Sequence, residues 1–352
     1  MSADESFHAL VSGRSRGWRP TLARLGLSAA SGPYAAAVWL RNRLYDRGWK
    51  QVHRAAVPVV SVGNITLGGT GKTPCVEYLA RFYRQRDVRV AILSRGYKGT
   101  WGRNDEAMVL EENLPDVPHL QGADRVALAA TAVEELEAEL LILDDGFQHR
   151  RLGRDLDVVL LDATNPWGHG RHFPRGLLRE SPRELRRGGV VMLTRCDQVP
   201  DEDVRALEEK ARKLAPGAPV VATEHAPVEW VQHDAPSQPI NALHRRPVVA
   251  FCGLGNPDAF RRTLRDLACE PRDFRAFPDH HAYTRVDVES LRDWARGQPP
   301  DAAVATTQKD LVKLRTARIG ERELLALRIG LRVRPNVDSD RFHELLTNVA
   351  RG

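Results

Sequence analysis

The stretch Ser61-Val62-Gly63-Asn64-Ile65-Thr66-Leu67-Gly68-Gly69-Thr70-Gly71-Lys72-Thr73-Pro74 decides the fold. The apolar run Val57 to Val62 leading into it reads as a buried strand, and Thr73 to Arg86 reads as a helix. Between them, Gly68, Gly69, Thr70 and Gly71 form a loop whose backbone N–H groups can close on phosphate oxygens. Lys72 can then reach the outer phosphates and Thr73 can offer its hydroxyl to Mg²⁺. The usual pattern has another glycine five residues before Gly71, where this chain has Thr66. A glycine-rich turn with a solvated lysine would need neither the strand before it nor the helix after it. The segment is therefore read as a nucleotide site.

Outward from the loop, apolar runs alternate with amphipathic ones. Arg89 to Ser94, Leu140 to Asp144, Asp157 to Asp162, Val190 to Thr194 and Pro219 to Thr223 read as strands, with helices at Asp124 to Glu137 and Asp201 to Leu214. Continuous Val/Ile/Leu strands separated by helices predict a mostly parallel sheet flanked by helices, of phosphate-loop NTPase type, with ligands at the strands' carboxyl ends. Beyond a proline-bearing stretch a second αβ set follows: strands at Val248 to Gly253, Ala303 to Thr307 and Leu324 to Val333, and helices near Asp258 to Leu267 and Asp287 to Arg296. The expected division is a basic amino-terminal segment (1–54), a phosphate-loop domain (55–228), a linker (229–246) and a smaller α/β domain (247–352).

Composition narrows the classes. The 352 residues, 42% hydrophobic and 28% charged, are enough for two cores. Four cysteines (Cys75, Cys196, Cys252, Cys269) lack C-x-x-C spacing, which argues against a disulfide framework or zinc site and predicts buried small apolar side chains. The net charge of +6 is concentrated in residues 1–54, where nine Lys/Arg face three acids, 9 − 3 = +6, leaving the rest of the chain neutral. That removes the support for nucleic-acid binding. No obligate protein partner is evident. Residues 1–54 also carry Trp18, Trp39 and Trp49, a mixture suited to the headgroup region of an anionic bilayer. Arg24, Pro33 and Arg41 interrupt the longest apolar stretch, so a transmembrane span is not expected. A surface helix from Pro33 to Arg47 packed on its own domain is the equal alternative.

Asp144-Asp145 follow the strand Leu140 to Leu143, where a phosphate-loop fold carries its second acid. Neighbours on a strand face opposite sides, so one of the two is expected to face Mg²⁺ and the other to organise water or the nucleophile. The competing reading is a strand-end turn favouring Asp-Gly. Thr194-Arg195-Cys196-Asp197 ends another strand and loosely echoes the guanine-reading motif of GTPases, with Arg in place of Lys. A GTPase or metallochaperone is thus the rival reading, and a non-enzymatic nucleotide switch at a membrane is a third.

In order and spacing, Gly63-Asn64, Gly68 to Pro74, Ser94-Arg95-Gly96-Tyr97, Asn104-Asp105-Glu106 and Asp144 to His149 resemble the tetraacyldisaccharide 4'-kinase family. Pro174-x-Gly176-x-Leu178-Arg179-Glu180, Gly253-Leu254-Gly255-Asn256-Pro257, Pro278-Asp279-His280 and Lys309-Asp310 extend the similarity over about residues 33 to 330. The resemblance implies two α/β domains with the active site in their cleft. It implies ATP-dependent phosphorylation of the 4'-hydroxyl of a tetraacylated disaccharide 1-phosphate, giving lipid IVA at the cytoplasmic face of the inner membrane. It further implies Asp105 as the catalytic carboxylate, paired with His280 from the second domain, and Glu180 as an active-site acid. From spacing alone Asp105 reads as a turn residue, His280 or His281 as a surface histidine, and Glu180 as half of an exposed charge pair. Gln308 stands where the family often has Glu, keeping a hydrogen bond without the charge.

Overall fold

The structure, a computed structural model, describes residues 3–96, 105–279 and 281–351. Tyr97, Asn104 and His280 lie outside the described residues, and Asp105 is described only as the first residue of a helix.

Helices α1 (Ala3–Val11) and α2 (Trp18–Asp46) precede strand β1 (Val59–Asn64), helix α3 (Lys72–Arg84) and strand β2 (Val90–Ser94). Helix α4 (Asp105–Asn113) and strand β3 (His119–Gln121) lead to α5 (Arg125–Glu134), β4 (Leu140–Asp144), β5 (Leu156–Asp162) and β6 (Val190–Thr194). Next come α6 (Asp201–Leu214), β7 (Val220–Gln232), β8 (Ala235–Pro239), β9 (Val248–Cys252), α7 (Pro257–Asp266) and β10 (Phe274–Ala276). The last elements are α8 (Arg285–Arg296), β11 (Ala303–Thr307), α9 (Gln308–Leu314), β12 (Arg318–Ile319), β13 (Arg322–Val333) and α10 (Val337–Arg351). The described residues form two compact units: 3–96 with 114–225 and 331–351, and 105–113 with 226–330.

The first unit is built on a parallel sheet in the order β3-β2-β4-β1-β5-β6-β7. Strands β1, β2 and β6 are buried along their whole length, which is why they read as unbroken apolar runs rather than alternating ones. Polar residues occur where these strands end: Val62 pairs with Asp144, and Asp162 with Thr194, so the carboxyl ends of β4, β5 and β6 bring polar side chains to one edge. The start of α5 shows local chemistry at work, since the Asp124 carboxylate accepts from the Val126 and Ala127 amides at 3.0 and 3.3 Å.

The second unit carries the parallel order β10-β9-β11-β13, with β12 antiparallel on β13. Its helices cover two apolar clusters, one around Trp230, Phe260 and Leu325, the other around Phe251, Trp294 and Leu311. All four cysteines are buried and unbridged.

Three boundaries depart from the sequence reading. Residues 229–246 are not a plain linker: β8 pairs antiparallel with the distal half of β7, Trp230 is fully buried, and its indole donates to the Ile240 carbonyl at 3.0 Å. Residues 331–351 return to the first unit. There Phe342 and Leu346 are buried, Tyr83 donates to the Leu346 carbonyl at 3.0 Å, and Tyr78 lies 2.7 Å from His343. Burying those two side chains contributes about 1.5–3 kcal/mol each, enough to draw a terminal helix away from its chain neighbours. Finally, α4 belongs with the second unit although it follows β2 in the chain, because it packs on α9. The expected pairing of Asp105 with His280 falls on His280, which lies outside the described residues.

The expected helix at Pro33 to Arg47 is the carboxyl part of the longer α2, with Pro33 inside it.

Candidate nucleotide site

Strand β1 delivers the chain to the loop through Ile65, which is fully buried in the core. Thr66 follows as a bridge partner of Leu178, and the Leu67 amide donates to the Leu177 carbonyl at 2.7 Å. This half of the loop is an extended, buttressed segment, which explains why Thr66 can stand where glycine is usual. The left-handed turns fall at Gly68 (φ 107°) and Gly71 (φ 84°). Gly71 caps α3 without any side-chain acceptor, leaving the amides of the first helical turn to a bound anion. Asn64 donates to the Thr70 hydroxyl at 2.8 Å, and Thr194 donates to the Thr70 carbonyl at 2.8 Å.

The two adjacent acids divide their roles. Asp145 leaves the strand in a left-handed conformation (φ 52°), with one oxygen 3.7 Å from the Lys72 ammonium. Arg179 donates to both of its oxygens at 2.9 Å, and to Gln148 at 3.3 Å. Burial would raise the Asp145 carboxyl, but the neighbouring Lys72 and Arg179 charges outweigh it and hold the group below the usual carboxylate range. Asp144 ends β4 beside Val62. Burial, with the Asp144 charge added, pushes the Cys75 thiol up. Thr73 and Asp144 are hard oxygen donors on adjoining elements, and Asp145 is already engaged by two cations. That donor set fits Mg²⁺ held partly by water and phosphate.

Glu180 is not part of this constellation. Its side chain is completely buried; one oxygen accepts from Arg41 at 2.8 Å, and the other from Asn42 at 3.1 Å and from Arg187. The carboxylate therefore ties α2 to the sheet domain. The role of Arg179 as the clamp on Asp145 was missed, since no local pattern announces a contact between residues 34 positions apart.

Within the second unit, α4 is fastened to α9 at two points. Lys309 pairs with Glu106 at 3.3 Å, while Gln308 and Asn113 exchange amide hydrogen bonds at 2.6 and 3.2 Å. Gln308 thus holds α4, and its amide also reaches Glu112 at 3.4 Å, where a second carboxylate would be repelled. Asp310 is fully buried and accepts from the Gly253 amide (3.1 Å), the Thr307 hydroxyl (2.6 Å) and the Tyr283 phenol (2.9 Å). The His281 ring lies 3.1 Å from Asp287, whose carboxylate caps α8, and stacks on Phe277. This ring has a structural engagement of its own. A cavity of about 560 Å³ in this unit, lined by Met108, Glu112, Gln308, Val312 and Arg315 among others, includes no residue of the phosphate loop.

A buttressed phosphate loop, a lysine and an acid pair at the carboxyl edge of a parallel sheet define a nucleotide-binding α/β protein of the phosphate-loop class. The family model for tetraacyldisaccharide-1-P 4'-kinase matches residues 23–351. The chain belongs to that family. The tetraacyldisaccharide 4'-kinase of Anaeromyxobacter sp. (strain Fw109-5) is 44% identical over 322 residues, 86% of each chain. That of Syntrophus aciditrophicus (strain SB) is 37% identical over 328 residues, 86% of this chain and 87% of that protein. The crystal structure of "apo" form LpxK from Aquifex aeolicus in complex with ATP superposes with a TM-score of 0.76 at 31% identity, covering 93% of this chain and 99% of that one.

Proposed function

We propose that this protein transfers the γ-phosphoryl group of ATP to the 4'-hydroxyl of a tetraacyldisaccharide 1-phosphate, forming lipid IVA. The observation that carries the reading is the Lys72–Asp145–Arg179 cluster on the phosphate loop of a chain matched to the kinase family over residues 23–351. Lys72 and the loop amides hold the triphosphate and neutralise charge spreading onto its equatorial oxygens. Asp145 keeps Lys72 oriented, and Arg179 keeps Asp145 ionised. Thr73 and Asp144 would hold Mg²⁺, which supplies further charge neutralisation when bound. Asp105 accepts the proton of the sugar hydroxyl, and His280 orients Asp105 and tunes its basicity.

Purified protein incubated with labelled ATP, Mg²⁺ and the disaccharide 1-monophosphate in detergent is expected to yield a bisphosphorylated glycolipid. Lys72→Ala should lower turnover by about 10²–10³-fold, and Asp144→Asn should raise the Mg²⁺ concentration required. Absence of the bisphosphorylated product would overturn the assignment. GTP turnover without acceptor would favour the GTPase reading instead.

The chain reaches its lipid, in this reading, by lying on the anionic cytoplasmic face of the inner membrane. Among the described residues no helix is long and apolar enough to cross a bilayer. Helix α2 offers a different device. At 100° per residue, Trp18, Leu22, Leu25, Trp39 and Leu40 fall within one stripe about 100° wide, and all five are exposed, Trp18 at 69% and Trp39 at 64%. Ser31, Tyr34, Arg41 and Asn42 project from the other side, where they bond His172, Arg179 and Glu180. The apolar stripe and the basic charge of residues 1–54 suit interfacial binding. Cosedimentation with anionic vesicles should fall sharply for Trp18→Ser/Trp39→Ser, and unchanged binding would sink this docking mode.

A further inference from the structure

We propose that Arg195 is a positioning residue for the phosphate loop, setting the direction of its peptide planes and shielding the bound triphosphate from Asp162. The inference rests on the nucleotide reading of the loop. Strands β5 and β6 run in register to Asp162 and Thr194, and the next residue, Arg195, is left-handed with φ 57° and ψ 34°. That conformation is uncommon for a long side chain and has to be held by its surroundings. Here the guanidinium is held on two sides: one nitrogen pairs with the Asp162 carboxylate, and another donates to the Gly69 carbonyl at 2.7 Å. The adjacent Thr194 hydroxyl donates to the Thr70 carbonyl at 2.8 Å.

Two successive carbonyls of the loop are therefore tied back toward β6 by two successive residues. In a trans peptide the carbonyl of one residue and the N–H of the next point in opposite directions. Fixing the Gly69 and Thr70 carbonyls turns the Thr70 and Gly71 amides the other way, into the space a phosphate would occupy. The loop's donors are thus oriented before nucleotide arrives, and the ordering cost is met during folding.

Charge gives Arg195 its second role. Asp162 is nearly buried; one oxygen accepts from the Thr164 amide and hydroxyl at 3.0 and 2.7 Å, and the other faces Arg195. Without the guanidinium, an uncompensated carboxylate would stand beside the loop and oppose a triphosphate. The echo of the guanine-reading motif at Thr194 to Asp197 is then explained by loop positioning. Asp197 itself is engaged by the His225 amide at 3.0 Å.

The test is equilibrium binding of ATP, read separately from kinase turnover, so that failure of the acceptor assignment would leave it intact. Arg195→Ala should weaken ATP binding, and raise the ATP KM, by about 10–100-fold, with kcat and glycolipid KM little changed. Arg195→Lys should recover part of the loss, since it keeps the charge and one donor. Asp162→Asn/Arg195→Ala should bind ATP better than Arg195→Ala alone, because the exposed charge is gone. Wild-type ATP affinity in a folded Arg195→Ala protein would overturn the proposal, as would a double variant no better than the single one. Thermal melts of all four proteins separate these outcomes from simple unfolding, and Arg195→Lys keeps the test open if Arg195→Ala does not fold.

Discussion

Replacing Asp105 by Ala is expected to lower kcat for phosphoryl transfer by about 10²–10⁴-fold while leaving ATP affinity nearly intact. The sugar hydroxyl is a poor nucleophile until its proton is accepted or held in line. A carboxylate at that proton acts on the acceptor, whereas in the proposed function the loop amides and Lys72 hold ATP. Asp105 begins α4, and that helix is fixed by the Glu106–Lys309 pair and the Asn113–Gln308 amide exchange, none of which involves the loop. His280→Ala should produce a loss of the same kind. Because the two are assigned as one working pair, the double variant should be little worse than either single one. Steady-state kinetics with separate measurement of ATP binding checks this. A parallel loss of nucleotide affinity, or fully additive losses, would remove the pair from the mechanism.

The second large effect is on stability. Glu180→Ala is expected to destabilise the protein by about 3–5 kcal/mol, because it removes the buried acceptor that Arg41, Asn42 and Arg187 share. Of its two carboxylate partners Arg187 would keep Glu184, at 2.8 Å. Burial already pulls its guanidinium below the usual value, the neighbouring Glu180 and Glu184 charges offset this, and it lies 4.1 Å from the centre of the Phe147 ring. Arg41 and Asn42 would lose the same acceptor, so α2 should loosen as well. Urea denaturation gives the stability change, and limited proteolysis should show faster cleavage near residues 47–54. A variant that keeps wild-type stability and loses ATP affinity would return Glu180 to the nucleotide site.

Features encoded in short stretches of chain are legible in the sequence alone. The strand, loop and helix at residues 59–84 are neighbours in sequence, so apolar run, glycines, lysine and helix can be read together. Asp144 and Asp145 were visible for the same reason, and so was the parallel character of the sheet, through strands lacking alternation. The sequence alone left open which acid faces Lys72, since adjacency fixes only that two neighbours differ in direction. The left-handed turn at Asp145 and the donation from Arg179 decided it.

Other assignments depended on contacts between distant positions. Helix α10 returns to α3 because Phe342 and Leu346 find an apolar surface there, and nothing within residues 337–351 names that surface. Helix α4 joined the second unit through Lys309 and Gln308, some two hundred positions along the chain. From spacing alone Glu180 read as an exposed charge, and α2 closes over it; Thr194 to Asp197 only loosely echoed a guanine reader, and in the fold Arg195 meets Gly69. Local sequence determined the elements and the phosphate chemistry, because backbone propensity and loop geometry act over a few residues. Tertiary structure decided which charges are buried, which pair and which remain at the surface, because those outcomes follow from desolvation and packing among groups that only the folded chain brings together.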